Sequence, residues 1–216
     1  MPAPREPIGR TSNNEKMGMR ILIVAPHADD GELGCGGSIA KFVEEGIHTI
    51  YYLAFASSDP TLMELKNALK VLEIPERCLF CDLYDIRKFN EHRQAILECL
   101  ISHNRILEPD LVFLPSLNDT HQDHQVIAQE GFRAFKKSSI LGYEIPWNNL
   151  DFSTNTFISI KEKHVRKKAT SIYCHESQRE REYVSEDFIY SLAKVRGTQI
   201  GVEYAEVFEG VRWVMK

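Results

Sequence analysis

Two short segments of this chain crowd together residues that could do metal and proton chemistry. Residues 26–32 read Pro-His-Ala-Asp-Asp-Gly-Glu, and residues 115–124 read Pro-Ser-Leu-Asn-Asp-Thr-His-Gln-Asp-His. Together they hold three histidines, four aspartates and a glutamate. Like charges packed so closely are costly unless something positive sits among them. A divalent metal answers that cost. Two histidines and one carboxylate, with a fourth position for water, form the usual catalytic zinc set. His27, Asp30 and His124 are the candidate ligands, with one Zn2+ per chain expected. Asp29 then lies beside the metal as a candidate general base, and His121 is free to face a substrate oxygen. Asp123 is placed to orient an imidazole from behind. Each segment alone has a plainer reading. His121 and Asp123 could simply open a helix, and Asp29 and Asp30 could be turn residues. Their joint presence is what points to a metal.

Such loops need a frame. Arg20–Ala25 is a continuous apolar run of strand length, as a buried parallel strand requires. A glycine-rich turn and a helix over Ser38–Glu45 follow, closed by Gly46. Thr49–Ala56 reads as a second strand, and Thr61–Leu72 as a helix with Leu62, Leu65, Leu69 and Leu72 on one face. A short strand over Cys78–Cys81, a helix over Glu91–Leu107, a strand over Asp110–Leu114 and a helix from Asp123 to Phe135 continue the alternation. The last third reads as helices at Ile160–Tyr173 and Ser185–Val195 and a strand at Glu203–Phe208. Steady alternation implies right-handed crossovers and an α/β, Rossmann-like, mostly parallel sheet with helices on both faces. Both acidic segments then follow strands, and open α/β sheets bind ligands beyond their strands' carboxyl ends.

The composition narrows the classes. The 216 residues carry 26 Lys+Arg against 31 Asp+Glu, a net charge of −5. That balance lacks the basic face a nucleic-acid binder needs. No apolar run is long enough to span a bilayer, and residues 1–18 are polar, without the apolar stretch of a secretory signal. Five cysteines without an export signal suit a reducing, cytoplasmic setting with free thiols. Residues 1–18 read as a flexible extension and 19–216 as a single catalytic domain. A homo-oligomer is left open.

The residues also resemble a known family. His27-Ala28-Asp29-Asp30 with Glu32 and Gly34-Cys35-Gly36-Gly37, then Asp119-Thr120-His121-Gln122-Asp123-His124, resemble the PIG-L/LmbE-like zinc-dependent N-deacetylases. Glu64-Leu65-Lys66-Asn67-Ala68 is similar to that family's acidic helix, Lys168 with His175-Glu176-Ser177-Gln178 to a late element, and Tyr204–Phe208 to its closing strand. The resemblance implies His27, Asp30 and His124 as zinc ligands, Asp29 as general base and His121 as oxyanion stabiliser. It implies an N-acetylglucosamine unit on a carrier as substrate, hydrolysed to free amine and acetate. Asp85 matches an acidic sugar-hydroxyl contact of the family. Ala28 stands where proline is usual. Thr61 stands where a substrate-contacting arginine is often found, which leaves the carrier group open among nucleotide, lipid, thiol conjugate and oligosaccharide. His121 is expected to act protonated, favoured by the charge of Asp123; either Asp29 or His121 could return a proton to the amine.

Other features have ordinary readings beside functional ones. The Gly34–Gly37 run hints at a dinucleotide loop, yet Asp29, Asp30 and Glu32 would repel a pyrophosphate. Its glycines are read as letting a helix pack closely. Cys78 and Cys81 read as core, and His48, His92, His103 and His164 as surface or satisfied histidines. His175 reaches the pocket rim or buttresses a loop. Tyr143 and Trp147 form an aromatic wall for a sugar ring or pack internally. Lys161–Lys168 reads as a solvated basic face. Two rival functions stand beside deacetylation. One is a non-haem iron oxygenase with the same two-His-one-carboxylate set; the other is a non-catalytic sugar- or metal-binding protein.

Overall fold

The first strand decides the layout. In the computed structural model, which describes residues 18–56 and 58–215, β1 (Arg20–His27) lies buried in the middle of a seven-stranded sheet. The extension read over 1–18 lies, Gly18 apart, outside the described residues. Ile21, Ile23 and Ala25 enter one apolar cluster, while Leu22 and Val24 enter another on the opposite face. A strand buried on both faces cannot alternate apolar with polar, which is why this run is continuous.

The elements follow as α1 (Asp30–Glu45), β2 (Thr49–Ala56), α2 (Asp59–Val71), β3 (Leu79–Cys81), α3 (Arg93–Leu107), β4 (Leu111–Pro115) and α4 (Gln122–Ala134). Then come β5 (Ser139–Tyr143), β6 (Thr156–Ile160), α5 (Glu162–Ile172), α6 (Glu186–Gln199) and β7 (Tyr204–Arg212). The sheet order is β3-β2-β1-β4-β5-β7-β6, with β1 to β5 mutually parallel and β7 antiparallel to both its neighbours. One core face is lined from α1, α2, α5 and α6, the other from α3 and α4. The chain steps outward from β1 to β3, then returns to the other side of β1 as β4. That reversal opens a crevice at the carboxyl ends of β1 and β4, where the two acidic segments emerge. Among the described residues, no helix is long and apolar enough to cross a membrane.

The structure corrects several expectations. The glycine-rich segment is not a turn: Gly34–Gly37 lies inside α1, which starts at Asp30 and breaks its helical geometry at Cys35. A Cβ at Gly34 would run into the Tyr143 ring, and one at Gly31 into the Tyr52 ring. Close packing against the sheet thus outweighs the poor helix propensity of glycine. The strands β5 and β6 were not expected. β5 carries Ser139 and Gly142, which dilute a strand signal, and the five residues Thr156–Ile160 run directly into the segment read as a helix from Ile160. Lys168 does not join a solvated face. It is buried and paired with Glu206 at 2.6 Å, and Glu206 also accepts from Gly37 N, Ser38 N and Ser38 Oγ. That network fastens α1 to α5 and β7 just beyond the break.

Candidate metal centre and active site

β1 ends at His27, and the next three residues turn straight into α1. Asp29 caps that helix, its carbonyl accepting from Leu33 N, and Asp30 is the first helical residue. A carboxylate in the first turn is favoured by the helix dipole. The Asp30 carboxylate folds back on the strand end, where Oδ2 accepts from His27 N at 2.8 Å. From the neighbouring strand, the segment 116–121 leads into α4, which delivers His124 from its first turn.

Three donor atoms meet between the two segments. His27 Nδ1 lies 3.1 Å from Asp30 Oδ2, His124 Nε2 lies 3.1 Å from the same oxygen, and the two nitrogens are 3.2 Å apart. Donors on a four-coordinate zinc stand about 3.3 Å from one another, given bond lengths of about 2.0–2.1 Å. The side chains present therefore fit a divalent metal in size and in kind. Each imidazole is also fixed from its far nitrogen, as metal-binding histidines usually are. His124 Nδ1 meets Asp119 Oδ2 at 2.7 Å, and His27 Nε2 meets Asp123 Oδ2 at 3.1 Å. His121 stands close enough for its ring to form a three-histidine cluster with His27 and His124. The triangle through Asp30 is the tighter set.

The electrostatics favour a cation at this point. Burial opposes charge on both imidazoles, yet Asp30 and Asp123 raise His27 to about 9, and Asp30 with Asp119 raises His124 to about 10. Burial likewise works against ionised Asp30, but His124 and His27 hold its carboxyl far below the usual carboxylate range. A field that binds protons this firmly also stabilises a metal ion. Asp29, half-buried next to Asp30, is pushed the other way by burial and by that neighbouring charge, to about 6.

Asp123 raises the pKa of His121 as expected but is outweighed, and the imidazole that it orients is that of His27. Its buried carboxylate is used by His27 Nε2, by Arg87 N at 2.7 Å and by Phe89 N at 3.4 Å. Burial, and then the charges of His124 and His27, lower the pKa of His121 by more than Asp123 raises it. Since Asp123 N donates to His121 Nδ1 at 3.2 Å, that nitrogen is the acceptor, and the proton of the neutral ring sits on Nε2.

An open cleft of about 260 Å³ lies over these groups, lined among others by Asp29, His121, Arg87, Trp147, His175 and Tyr183. Trp147 stacks on Tyr183 with ring centroids 4.1 Å apart and planes 15° from parallel, so an aromatic wall does border the cleft. Tyr143 is not part of it. That ring is fully buried under α1, and its hydroxyl donates to Val24 O at 3.1 Å. Asp85 also stays outside the lining, exposed and paired with Lys88 at 2.9 Å. His175 both lines the cleft and buttresses it, with Nε2 3.2 Å from Glu32 Oε1 while the Tyr52 hydroxyl donates to Glu32 Oε2. Glu64 of α2 accepts from Ser177 N and Oγ at 2.9 and 2.8 Å, tying the helix to the segment after His175.

Sequence reasoning missed Arg87 and Tyr183. Among the described residues that line the cleft, Arg87 is the one guanidinium or ammonium, and it holds a left-handed backbone, φ +67°. An unfavourable conformation in a non-glycine residue persists when its surroundings impose it. Here Asp123 takes the Arg87 N–H and Gln122 Nε2 donates to its carbonyl at 2.5 Å. An arginine in a loop without a motif gave no signal beyond its charge.

Known proteins share this arrangement of chain. The family described as PIG-L, GlcNAc-PI de-N-acetylase, matches residues 22–135. The protein described as uncharacterized deacetylase YaiS, from Escherichia coli K12, is 30% identical over 178 residues, spanning 77% of this chain and 95% of its own. Among solved structures, N,N'-diacetylchitobiose deacetylase from Pyrococcus horikoshii, complexed with its inhibitor MPG, superposes with a TM-score of 0.72 at 20% identity, covering 92% of this chain and 85% of that one. The 4-carboxy-2-hydroxymuconate hydratase GalB from Pseudomonas putida KT2440 superposes with a TM-score of 0.74 at 19% identity, covering 92% and 98%. The fold thus carries more than one reaction, and it is the site that must choose between them.

Proposed function

Because the chain belongs to the PIG-L family of deacetylases, we propose that it hydrolyses the N-acetyl group of an amino sugar or its conjugate, using one Zn2+ held by His27, Asp30 and His124. The observation that carries this reading is the triangle of His27 Nδ1, Asp30 Oδ2 and His124 Nε2, with Asp29 and His121 on its open side. Zinc bound there supplies a more acidic water and polarises the amide carbonyl.

The chain's own residues do the rest. Asp29 accepts the proton of the attacking water and later gives it back; burial and the neighbouring Asp30 charge act to hold its carboxyl above the usual carboxylate range, which favours proton uptake. His121 donates its Nε2–H to the carbonyl oxygen as negative charge builds there, and it does so as a neutral imidazole. Asp29 then passes its proton to the departing nitrogen, leaving free amine and acetate. Trp147 and Tyr183 offer a flat apolar face for a sugar ring, and Arg87 offers a positive contact for its hydroxyls or carrier. That guanidinium supplies from a different loop the charge missing at Thr61. His175 holds the cleft wall through Glu32.

The test is acetate release from N-acetylglucosamine linked to nucleotides, thiols and oligosaccharides, with and without a chelator. Chelator-sensitive release from at least one of them, restored by zinc, is expected. Iron content with dioxygen consumption would favour the oxygenase, and metal binding with no acetate from any of them would favour the binding protein.

A further inference from the structure

A second group of metal-ligating side chains lies away from the cleft. Cys99 and His103 stand four residues apart on α3 and so share a face. Asp82, the first residue beyond β3, meets both. Cys99 Sγ lies 2.9 Å from Asp82 Oδ2 and 3.5 Å from His103 Nδ1, while His103 Nε2 lies 3.9 Å from Asp82 Oδ2. One donor atom of each residue falls within 4.8 Å of the other two. On a tetrahedral zinc, sulfur, nitrogen and oxygen donors stand about 3.3–3.6 Å apart. With Nε2 as the imidazole donor, the sulfur-to-oxygen edge of 2.9 Å and the nitrogen-to-oxygen edge of 3.9 Å fall either side of that range, while the 3.5 Å contact of Cys99 Sγ is with the other ring nitrogen.

We propose that Asp82, Cys99 and His103 form a second Zn2+ site, separate from the cleft and open to solvent at its fourth position. The donor types argue for zinc: a thiol and an imidazole select a borderline-soft ion over Mg2+ or Ca2+, which prefer all-oxygen sets. The hydrogen bonds argue the same way. His103 Nδ1 is 3.1 Å from the Cys99 carbonyl, which can only accept, so a neutral ring carries its proton there. Its Nε2 lone pair then faces a carboxylate oxygen, an arrangement that a cation relieves. The thiol proton already lies between Cys99 and Asp82, in the space a metal would take, and it leaves to bulk water as the Zn–S bond forms. The Phe80 ring packs edge-on against His103 at 5.2 Å and holds the imidazole in position. With side chains 16% and 39% exposed for His103 and Asp82, the site exchanges its ion with solvent.

Zinc content after equilibration with excess Zn2+ and desalting tests this, together with the spectrum of the Co2+-substituted protein. The wild-type chain should hold one equivalent of zinc beyond that bound in the cleft, and its Co2+ form should show thiolate-to-metal charge-transfer absorption. Cys99→Ser and His103→Gln should each lose that equivalent, and Cys99→Ser the charge-transfer band, with acetate release unchanged. Cys81→Ser should keep both. His124→Ala, which disables the cleft, should keep the charge-transfer band, so failure of the second site is distinguishable from failure of the first. A wild-type protein with no extra equivalent and no thiolate band would show a hydrogen-bonded cluster only, and the proposal would be overturned.

Discussion

Replacing Asp119 by asparagine removes one charge and no volume, and its consequence can be followed atom by atom. The two carboxylate oxygens have separate tasks: Oδ1 accepts from His121 N at 2.8 Å, and Oδ2 faces His124 Nδ1 at 2.7 Å. A carboxylate accepts at both. An asparagine has a single oxygen and a donor amide. If its oxygen keeps His121 N, its NH2 confronts His124 Nδ1 and forces the imidazole proton onto Nε2, the nitrogen that points at Asp30 and His27. If it turns round, His124 keeps its tautomer but the His121 backbone loses its partner in a buried place. The side chain is buried, so little solvent is present to screen the lost charge. Outer partners of metal-binding histidines are typically worth about 10–100-fold in metal affinity, or about 1.4–2.7 kcal/mol. Asp119→Asn should therefore weaken zinc binding by about that factor, read by competition with a chromophoric chelator. Activity should return in part at saturating zinc. An affinity within twofold of wild type would refute the assignment of His124 Nε2 as a ligand atom.

Three further outcomes follow from the same geometry. Asp29→Asn should keep its metal yet lose about 10²–10⁴-fold in turnover, measured as acetate release alongside metal content; normal turnover would remove Asp29 from the chemistry. Arg87→Ala should raise KM while leaving kcat and metal content near wild type, and an unchanged KM would mean that the guanidinium touches no substrate. Glu44 joins α1 to α5 through Lys163 and His164, and hydrogen bonds from these two lower its pKa from 4.5 to about 2. A depressed carboxyl contributes stability above its unfolded pKa and loses it as pH falls through the folded one. The Tm difference between wild type and Glu44→Gln should thus be present at pH 6 and vanish between pH 4.5 and 2; a gap that persists at pH 2 would contradict the cause assigned.

Particular residues explain which parts of the fold are legible in the sequence. β1, β2 and β4 were legible because a strand buried on both faces must be apolar throughout. The acidic segments were legible because their charge density has few explanations. The meeting of His27, Asp30 and His124 needs only neighbouring strand ends, so their closeness was legible from the parallel topology. What failed depended on distant contacts. Gly34 and Gly36 sit inside a helix because Tyr143 and Lys168, from elsewhere in the chain, leave little or no room there for a side chain. Tyr143 looked like a loop aromatic because β5, which buries it, was not recognised. Asp123 lies two residues from His121 in sequence, yet it serves His27, 96 positions away. The link from His175 to Glu32 spans 143 residues and leaves no local pattern. Asp82, Cys99 and His103 are unremarkable in sequence for the same reason.

The Asp123 carboxylate has one oxygen that touches both His27 Nε2 and the Arg87 amide. A single atom thus joins an imidazole proposed as a metal ligand to the loop proposed to meet the substrate. Thermodynamic linkage makes any coupling through it reciprocal. If filling the metal site tightens the cleft's hold on a sugar by some factor, the sugar must slow metal loss or speed its capture by the same factor overall. Depleting zinc would then empty resting molecules before those with substrate bound, and the working fraction of a population would be the last to lose its ion.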